Sequence, residues 1–259
     1  MTTKGERITE QQLYSLRAEL QPLIGTEFTN LALPNAALQA FEPSQIGTIV
    51  GALMDALLPH LSDIPQVGLT KHEGILGDRE GYPDYKHDSG LRVELKLLYV
   101  DNPNLNMKRP PTKREPSARL TQKVTMKNVR PPTDTMLLLA YQLRPQSRDS
   151  TAVSPVIIDQ KVFSMIELVE ARDKRLTSGG GMWFGNYETP AVLSKIGIAK
   201  VKEGKPVDTT TYGRKESEGK DFNEDTNFGK LKRIPHPKLQ EFLRKCLAIS
   251  VGEPIDQSD

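Results

Sequence analysis

A chain of 259 residues, 37% apolar and 26% charged, has the makeup of a globular protein able to bury a sizeable core in one large domain. Its 35 basic residues nearly balance 33 acidic ones, so net charge alone gives no argument for a polyanionic partner and only local clustering can. The single cysteine, Cys246, excludes an intramolecular disulfide and fits a reducing cytoplasm; on a helix it reads as a small buried hydrophobe.

The opening MTTKGERITEQQ lacks the apolar core of a secretion signal. The longest apolar-rich stretch, Ile46 to Leu58, is too short for a membrane span and contains Asp55, so a cytoplasmic protein without a membrane partner is expected. Thr9 can cap a helix carrying Leu13, Leu16 and Leu20 at helical spacing, and Pro43-Ser44 precedes a second helical run from Ile46 to Leu61. Gly68 to Gly81, rich in glycine and charge, reads as a loop. It leads into YPDYKHDSGLRVELKLLYV, the informative segment of the chain.

There Leu91, Val93, Leu95 and Leu97 alternate with Arg92, Glu94 and Lys96, the two-residue period of a half-buried strand. Tyr82 to His87 forms its partner across the turn Asp88-Ser89-Gly90, with Gly90 able to take the positive φ of a three-residue hairpin loop. Lys108 to Arg130 holds eight basic residues and one acidic, Glu115. Its second half, Ser117 to Val129, is predicted to be a helix capped by Ser117, with Arg119, Lys123 and Lys127 as a basic stripe suited to a phosphate backbone, or simply a solvated face. Asp134 to Leu143 and Pro155 to Ile158 read as strands, and Phe163 to Arg175 as an amphipathic helix.

The chain then turns irregular through SGGGMWFGNYETP and a polar stretch from Lys202 to Arg233. Triple glycine beside aromatics suits close approach of backbone to a partner, with Trp183 and Asn186 as candidate DNA readers; the alternative is a loop anchored by a buried Trp183. A last helix starts near Pro235 or Pro237 and carries Leu239, Phe242, Leu243 and Leu247. The interleaving of strands and helices predicts a single α/β or α+β domain around a mixed sheet over residues 1–250. Within it, residues 1–65 are expected to be helical, residues 66–200 to form a catalytic core, and residues 201–250 to supply polar loops and a helix, followed by a flexible tail over residues 251–259.

An acidic-x-Lys pattern occurs five times, at Asp84-Lys86, Glu94-Lys96, Asp159-Lys161, Glu203-Lys205 and Glu218-Lys220, and alone says little. Only Glu94-Leu95-Lys96 lies on a strongly alternating strand after the chain's one Pro-Asp pair, Pro83-Asp84. A hairpin centred on Ser89 sets Asp84 across from Glu94, with Lys96 on the same face as Glu94. Two opposed carboxylates destabilise a sheet unless a cation lies between them. A divalent ion with a neighbouring ammonium is the equipment of phosphodiester hydrolysis. The alternative is a surface hairpin whose charges merely face water.

Gly-Tyr-Pro-Asp, an eight-residue spacer and Val-Glu-Leu-Lys-Leu resemble the core motif of the PD-(D/E)-x-K nucleases, most closely type II restriction endonucleases. The resemblance implies a restriction-endonuclease-like mixed central sheet flanked by helices and Mg2+ as cofactor. It makes Asp84, Glu94 and the Leu95 carbonyl metal ligands, and Lys96 the group that positions the attacking water. Such families often add an upstream acid, for which Glu73 and Asp55 are the candidates. The implied partners are double-stranded DNA and a second copy of the chain. A junction-resolving, repair or transposition nuclease of the same fold, and a non-catalytic DNA-binding protein, are the rival readings. His60, His72, His87 and His236 are too scattered for a zinc site, and neither a P-loop, a dinucleotide fingerprint nor G-x-S-x-G occurs, so no nucleotide cofactor or serine chemistry is expected.

Overall fold

In a computed structural model, the structure describes residues 6–60, 66–72, 82–111, 116, 118–120, 124, 126, 128–148, 150–178, 183–184, 191–193, 195–206, 222–223 and 229–253. A six-stranded mixed sheet lies between two layers of helices. Its strands are β1 (Leu33–Pro34), β2 (Leu69–Lys71), β3 (Tyr85–His87), β4 (Arg92–Tyr99), β5 (Asp134–Pro145) and β6 (Ala152–Ser164), in the order β1-β6-β5-β4-β3-β2. β4 and β5 run parallel; the other neighbours are antiparallel.

Alternation along the strands assigns each residue to one of two cores. On one face Val93, Leu95, Leu137, Leu139 and Tyr141 pack with helices α1 (Glu10–Glu19) and α3 (Pro43–Leu57) and near the short α2 (Asn35–Ala40). On the other, Leu98, Met136, Leu138 and Phe163 meet α4 (Met165–Ser178) and α6 (Pro237–Val251). α1 begins as expected, with Thr9 and Gln12 in a reciprocal capping box and Leu13 and Leu16 buried beneath it. β5 is buried from Asp134 to Leu143, as a central strand covered on both faces must be.

Four expectations are revised. Within the expected loop Gly68 to Gly81, Leu69–Lys71 forms β2 and pairs with β3 as one of the sheet's two edge strands. β6 extends well beyond Pro155 to Ile158, because pairing with β5 continues from Val153 to Ser164 across an irregularity near Ala140. α6 continues to Val251, with Gly252 at φ +73° ending it, so the last helix reaches past the expected boundary at residue 250.

The fourth concerns the crossover from β4 to β5. None of the described residues between Ser117 and Val129 is helical. Leu120, Val124 and Val129 are instead buried in the second core, and Arg119 forms an isolated bridge with Lys230. Leu120 N–H donates to the Gly229 carbonyl at 2.8 Å and Leu231 N–H to Ala118 at 3.0 Å, while the buried Arg172 donates to the Val124 carbonyl at 2.7 Å. Long-range partners thus take backbone groups that a helix would have paired internally, and β-branched Val124 and Val129 give little propensity to resist. Gly229 makes this approach possible, since a Cβ there would stand 2.1 Å from the Leu120 carbonyl oxygen.

The stretch after α4 forms a second sheet from β7 (Trp183–Phe184), β8 (Ala191–Leu193) and β9 (Phe222–Asn223), with α5 (Lys195–Lys202) following β8. Among the described residues no helix is long and apolar enough to cross a membrane.

Candidate active site

The hairpin adopts the register expected from its turn: Tyr85 pairs with Val93 and Lys86 with Arg92, and Gly90 sits at φ +86°. The His87 N–H donates to the Leu91 carbonyl at 2.8 Å, closing the loop. Continuing that register brings Asp84, just before β3, to Glu94 and Leu95. Asp84 Oδ2 accepts the Leu95 N–H at 2.8 Å. The Tyr82-Pro83 peptide bond leading into Asp84 is cis.

Lys96 lies one step along from Glu94 on the same face. Its Nζ is 2.6 Å from Glu94 Oε1, 3.0 Å from the Leu95 carbonyl oxygen and 3.8 Å from Asp84 Oδ2. Three oxygens therefore surround one cationic position, now held by the ammonium. The other Glu94 oxygen, Oε2, is buried with no hydrogen-bond partner. A buried carboxylate oxygen left bare is costly, and a hard cation is the partner that would satisfy it. The residues fit Mg2+, which takes a few carboxylates and completes its shell with water and substrate oxygens. Among the described residues no group of three or more His, Cys, Asp or Glu side chains gathers as a metal site.

Burial dominates the electrostatics. It pushes the Glu94 carboxyl up to about 7, with Asp84 adding to the rise and Lys96 opposing it. Burial likewise raises Asp84, against the pull of Lys96 and the Leu95 N–H. For Lys96 burial works toward deprotonation, but Glu94 and Asp84 outweigh it and hold the ammonium above its ordinary value.

Because folded Glu94 retains its proton to higher pH than the unfolded chain does, its contribution is favourable in acid and is lost as pH rises from about 4.5 to about 7. Without divalent cations, the stability of the wild-type protein should fall across that window by up to about 3 kcal/mol more than that of Glu94→Gln. Urea unfolding of both proteins in chelator at pH 5 to 8 measures the difference. Parallel pH profiles would show that Glu94 titrates normally.

Two flanking groups brace the hairpin. Asp55, on α3, accepts the Lys71 ammonium at 2.9 Å and the Tyr85 hydroxyl at 2.7 Å, and its charge adds to the upward push on both Asp84 and Glu94. Of the two expected upstream acids, Asp55 thus adjoins the site, whereas Glu73 lies outside the described residues. On the other side Asp134, fully buried, accepts the Tyr82 hydroxyl at 2.7 Å, the Arg130 N–H at 2.8 Å and the Thr133 hydroxyl at 3.0 Å. Arg92 Nε stands 3.2 Å from Asp134 Oδ1 without hydrogen-bond alignment, and its guanidinium lies 5.4 Å from the centre of the Tyr82 ring. Tyr82 and Arg92 carried no signal in the sequence beyond proximity to the motif, and Asp134, 40 residues after Glu94, carried none.

The expected DNA-contacting set is not assembled in the same way. Arg119 is exposed but sits in extended backbone, so no helical stripe carries it; Lys123, Lys127 and Asn186 lie outside the described residues, and of Trp183 only the backbone, in β7, is described. Two further cations of the basic stretch, Lys108 and Arg109, are engaged by Glu42 at 3.3 and 2.6 Å.

No family model, no curated protein and no solved structure matches the chain.

Proposed function

We propose that the chain is a magnesium-dependent, site-specific DNA endonuclease of the PD-(D/E)-x-K type, acting on double-stranded DNA as a homodimer in the manner of a type II restriction enzyme. The observation that supports it best is the convergence of Asp84 Oδ2, Glu94 Oε1 and the Leu95 carbonyl on one cationic position. The mixed sheet with helices on both faces is compatible with a restriction-endonuclease-like fold.

Asp84, Glu94 and the Leu95 carbonyl would hold the ion. Bound there, Mg2+ supplies the Lewis acidity that polarises a phosphate and makes water a better nucleophile. The Lys96 ammonium, kept protonated by its two carboxylates, donates hydrogen bonds that orient an incoming water and offsets charge growing on the phosphate. The Leu95 N–H fixes Asp84, and Asp134 fixes Tyr82 just before it, so the acidic groups are held in place before substrate arrives.

The decisive experiment is digestion of supercoiled plasmid with and without Mg2+. Discrete, metal-dependent fragments support sequence-specific cutting. Cleavage confined to junctions or flaps would point to the structure-specific alternative, and uncut DNA would remove the enzyme reading.

Cutting two antiparallel strands with one site per chain calls for a second copy, and α3 offers a surface for it. Ile49 is 51% and Leu53 44% exposed, with Ala52 and Ala56 beside them, so the helix is apolar on its outer face as well as its inner one. Its sole charge, Asp55, is engaged by Lys71 and Tyr85, so two copies of α3 could pack without opposing like charges. Leu53→Glu should convert a dimer to a monomer in sedimentation experiments and replace double-strand cutting with nicking. A wild-type monomer, or an unaltered dimer in the variant, would reject this surface.

A further inference from the structure

Two of the chain's acidic-x-Lys patterns lie side by side in the hairpin, Asp84-Tyr85-Lys86 on the β3 side and Glu94-Leu95-Lys96 on β4. Because the strands are antiparallel, their lysines flank the carboxylates from opposite ends. Lys96 lies beyond Glu94. Lys86 lies toward the turn, directly across from Arg92 and one side-chain step, about 7 Å along the hairpin, from Asp84 and Glu94. Arg92, Glu94 and Lys96 alternate onto one face of β4, and Lys86 shares that face as the partner of Arg92. Tyr85 and His87, buried on either side of it in β3, take the other.

The Arg92 N–H donates to the Thr133 carbonyl at 2.9 Å, on the β5 side, so Lys86 and Arg92 form a non-hydrogen-bonded pair, the closer kind of cross-strand neighbours. Like charges set directly opposite each other destabilise a sheet. Neither cation is fully compensated. Lys86 is exposed and makes no ion pair among the described residues. Arg92 has Asp134 nearby, but that carboxylate already accepts three hydrogen bonds, and no guanidinium nitrogen of Arg92 donates one among the described residues. Both groups are nonetheless well placed. The guanidinium lies against the Tyr82 ring, and the Lys86 backbone is held between β2 and β4, with its carbonyl accepting the Thr70 hydroxyl at 3.2 Å.

We infer that Lys86 and Arg92 together bind a phosphate of the DNA backbone, the neighbour of the one being cleaved, on the turn side of the metal position. The word neighbour rests on the nuclease reading of the hairpin. A cation pair, a carboxylate pair and Lys96 follow one another along a single face, and a DNA strand laid along it meets them in turn. One phosphate neutralises the opposed cations, and the next reaches the ion held by Asp84 and Glu94, with Lys96 beyond it. An ammonium and a guanidinium converging on one phosphate supply charge-assisted hydrogen bonds to more than one of its oxygens. Such a contact sets the position of the backbone and carries no sequence information, so it acts on any duplex.

The test measures binding of the full chain to a short mixed-sequence DNA duplex, in chelator and across a salt series, for wild type, Lys86→Gln and Lys86→Arg. Lys86→Gln should weaken binding about five- to tenfold and lower the slope of log affinity against log salt by about one. Its Tm should be no lower than that of the wild type, because it relieves the opposition to Arg92. Lys86→Arg should restore both affinity and slope. In plasmid cleavage with Mg2+, the loss in Lys86→Gln should appear in KM rather than in kcat. The assignment is overturned if the wild-type chain does not bind the duplex, if Lys86→Gln keeps the wild-type affinity and salt slope, or if Lys86→Arg binds as weakly as Lys86→Gln. Loss of one phosphate contact in Lys86→Gln, with no cleavage by the wild type, would end the nuclease reading and leave the backbone contact standing. Cleavage with an unaltered salt slope in Lys86→Gln would do the reverse.

Discussion

Asp84→Asn should lose magnesium-dependent plasmid cleavage by on the order of 10^2–10^3-fold or more while binding duplex DNA in chelator at least as tightly as the wild type. The asymmetry follows from what the substitution keeps and removes. Asparagine retains an oxygen that can accept the Leu95 N–H, now received by Asp84 Oδ2 at 2.8 Å, so the link between the two strands should persist. What disappears is one of two carboxylates around the cationic position, and with it much of the attraction for a divalent ion. It also removes a negative charge that would face the phosphate, which is why binding without metal should not suffer. Lys96→Ala should reduce cleavage by a similar order, since it deletes the ammonium that touches Glu94 Oε1 and the Leu95 carbonyl, while duplex binding survives, weakened by no more than the loss of one cation beside the phosphate. Undiminished cutting by Asp84→Asn would end the assignment of this hairpin as the active site, and undiminished cutting by Lys96→Ala would remove the lysine from the mechanism.

The hairpin is legible in the sequence because its information is local. Alternation from Leu91 to Leu97, a glycine able to take φ +86° and a short turn fix which residues lie opposite each other. The Thr9 capping box and the apolar run of β5 are legible for the same reason. Sequence pattern fails where distant residues decide. Ser117 to Val129 has basic residues at helical spacing, yet Leu120 and Val124 are held by Gly229 and Arg172, more than forty positions further along. β2 is hidden because three residues, Leu69–Lys71, gain their structure only by adding to the edge of β3. Asp55 and Glu73 cannot be separated as upstream acids by pattern, since what brings Asp55 to the site is the packing of α3 on the sheet and the Tyr85 hydroxyl. The contacts that tie Asp134 to Tyr82 and Arg92 span 52 and 42 positions and leave no periodic trace.

That last cluster carries the second large effect. Asp134→Ala should destabilise the protein by about 3–5 kcal/mol at neutral pH, measured by urea unfolding, because it strips a fully buried carboxylate from partners that stay behind. Those partners are the Tyr82 hydroxyl, the Arg130 N–H, the Thr133 hydroxyl and the guanidinium of Arg92, whose side chain is only 12% exposed. Burial, together with Asp134, pushes the Tyr82 phenol well above its ordinary value, so it remains a donor at every working pH and would be left without an acceptor. Tyr82→Phe removes only one of these bonds and should cost about 1 kcal/mol. The distinction matters for catalysis because Tyr82 immediately precedes Pro83 and Asp84: freeing the ring loosens the segment that holds Asp84 beside Leu95. Tyr82→Phe should therefore lower cleavage more than its small stability loss accounts for, with the deficit measured well below the unfolding transition. If Asp134→Ala costs no more than Tyr82→Phe, the buried carboxylate is not the hub of the cluster, and the rigidity of Asp84 must come from the Leu95 N–H alone.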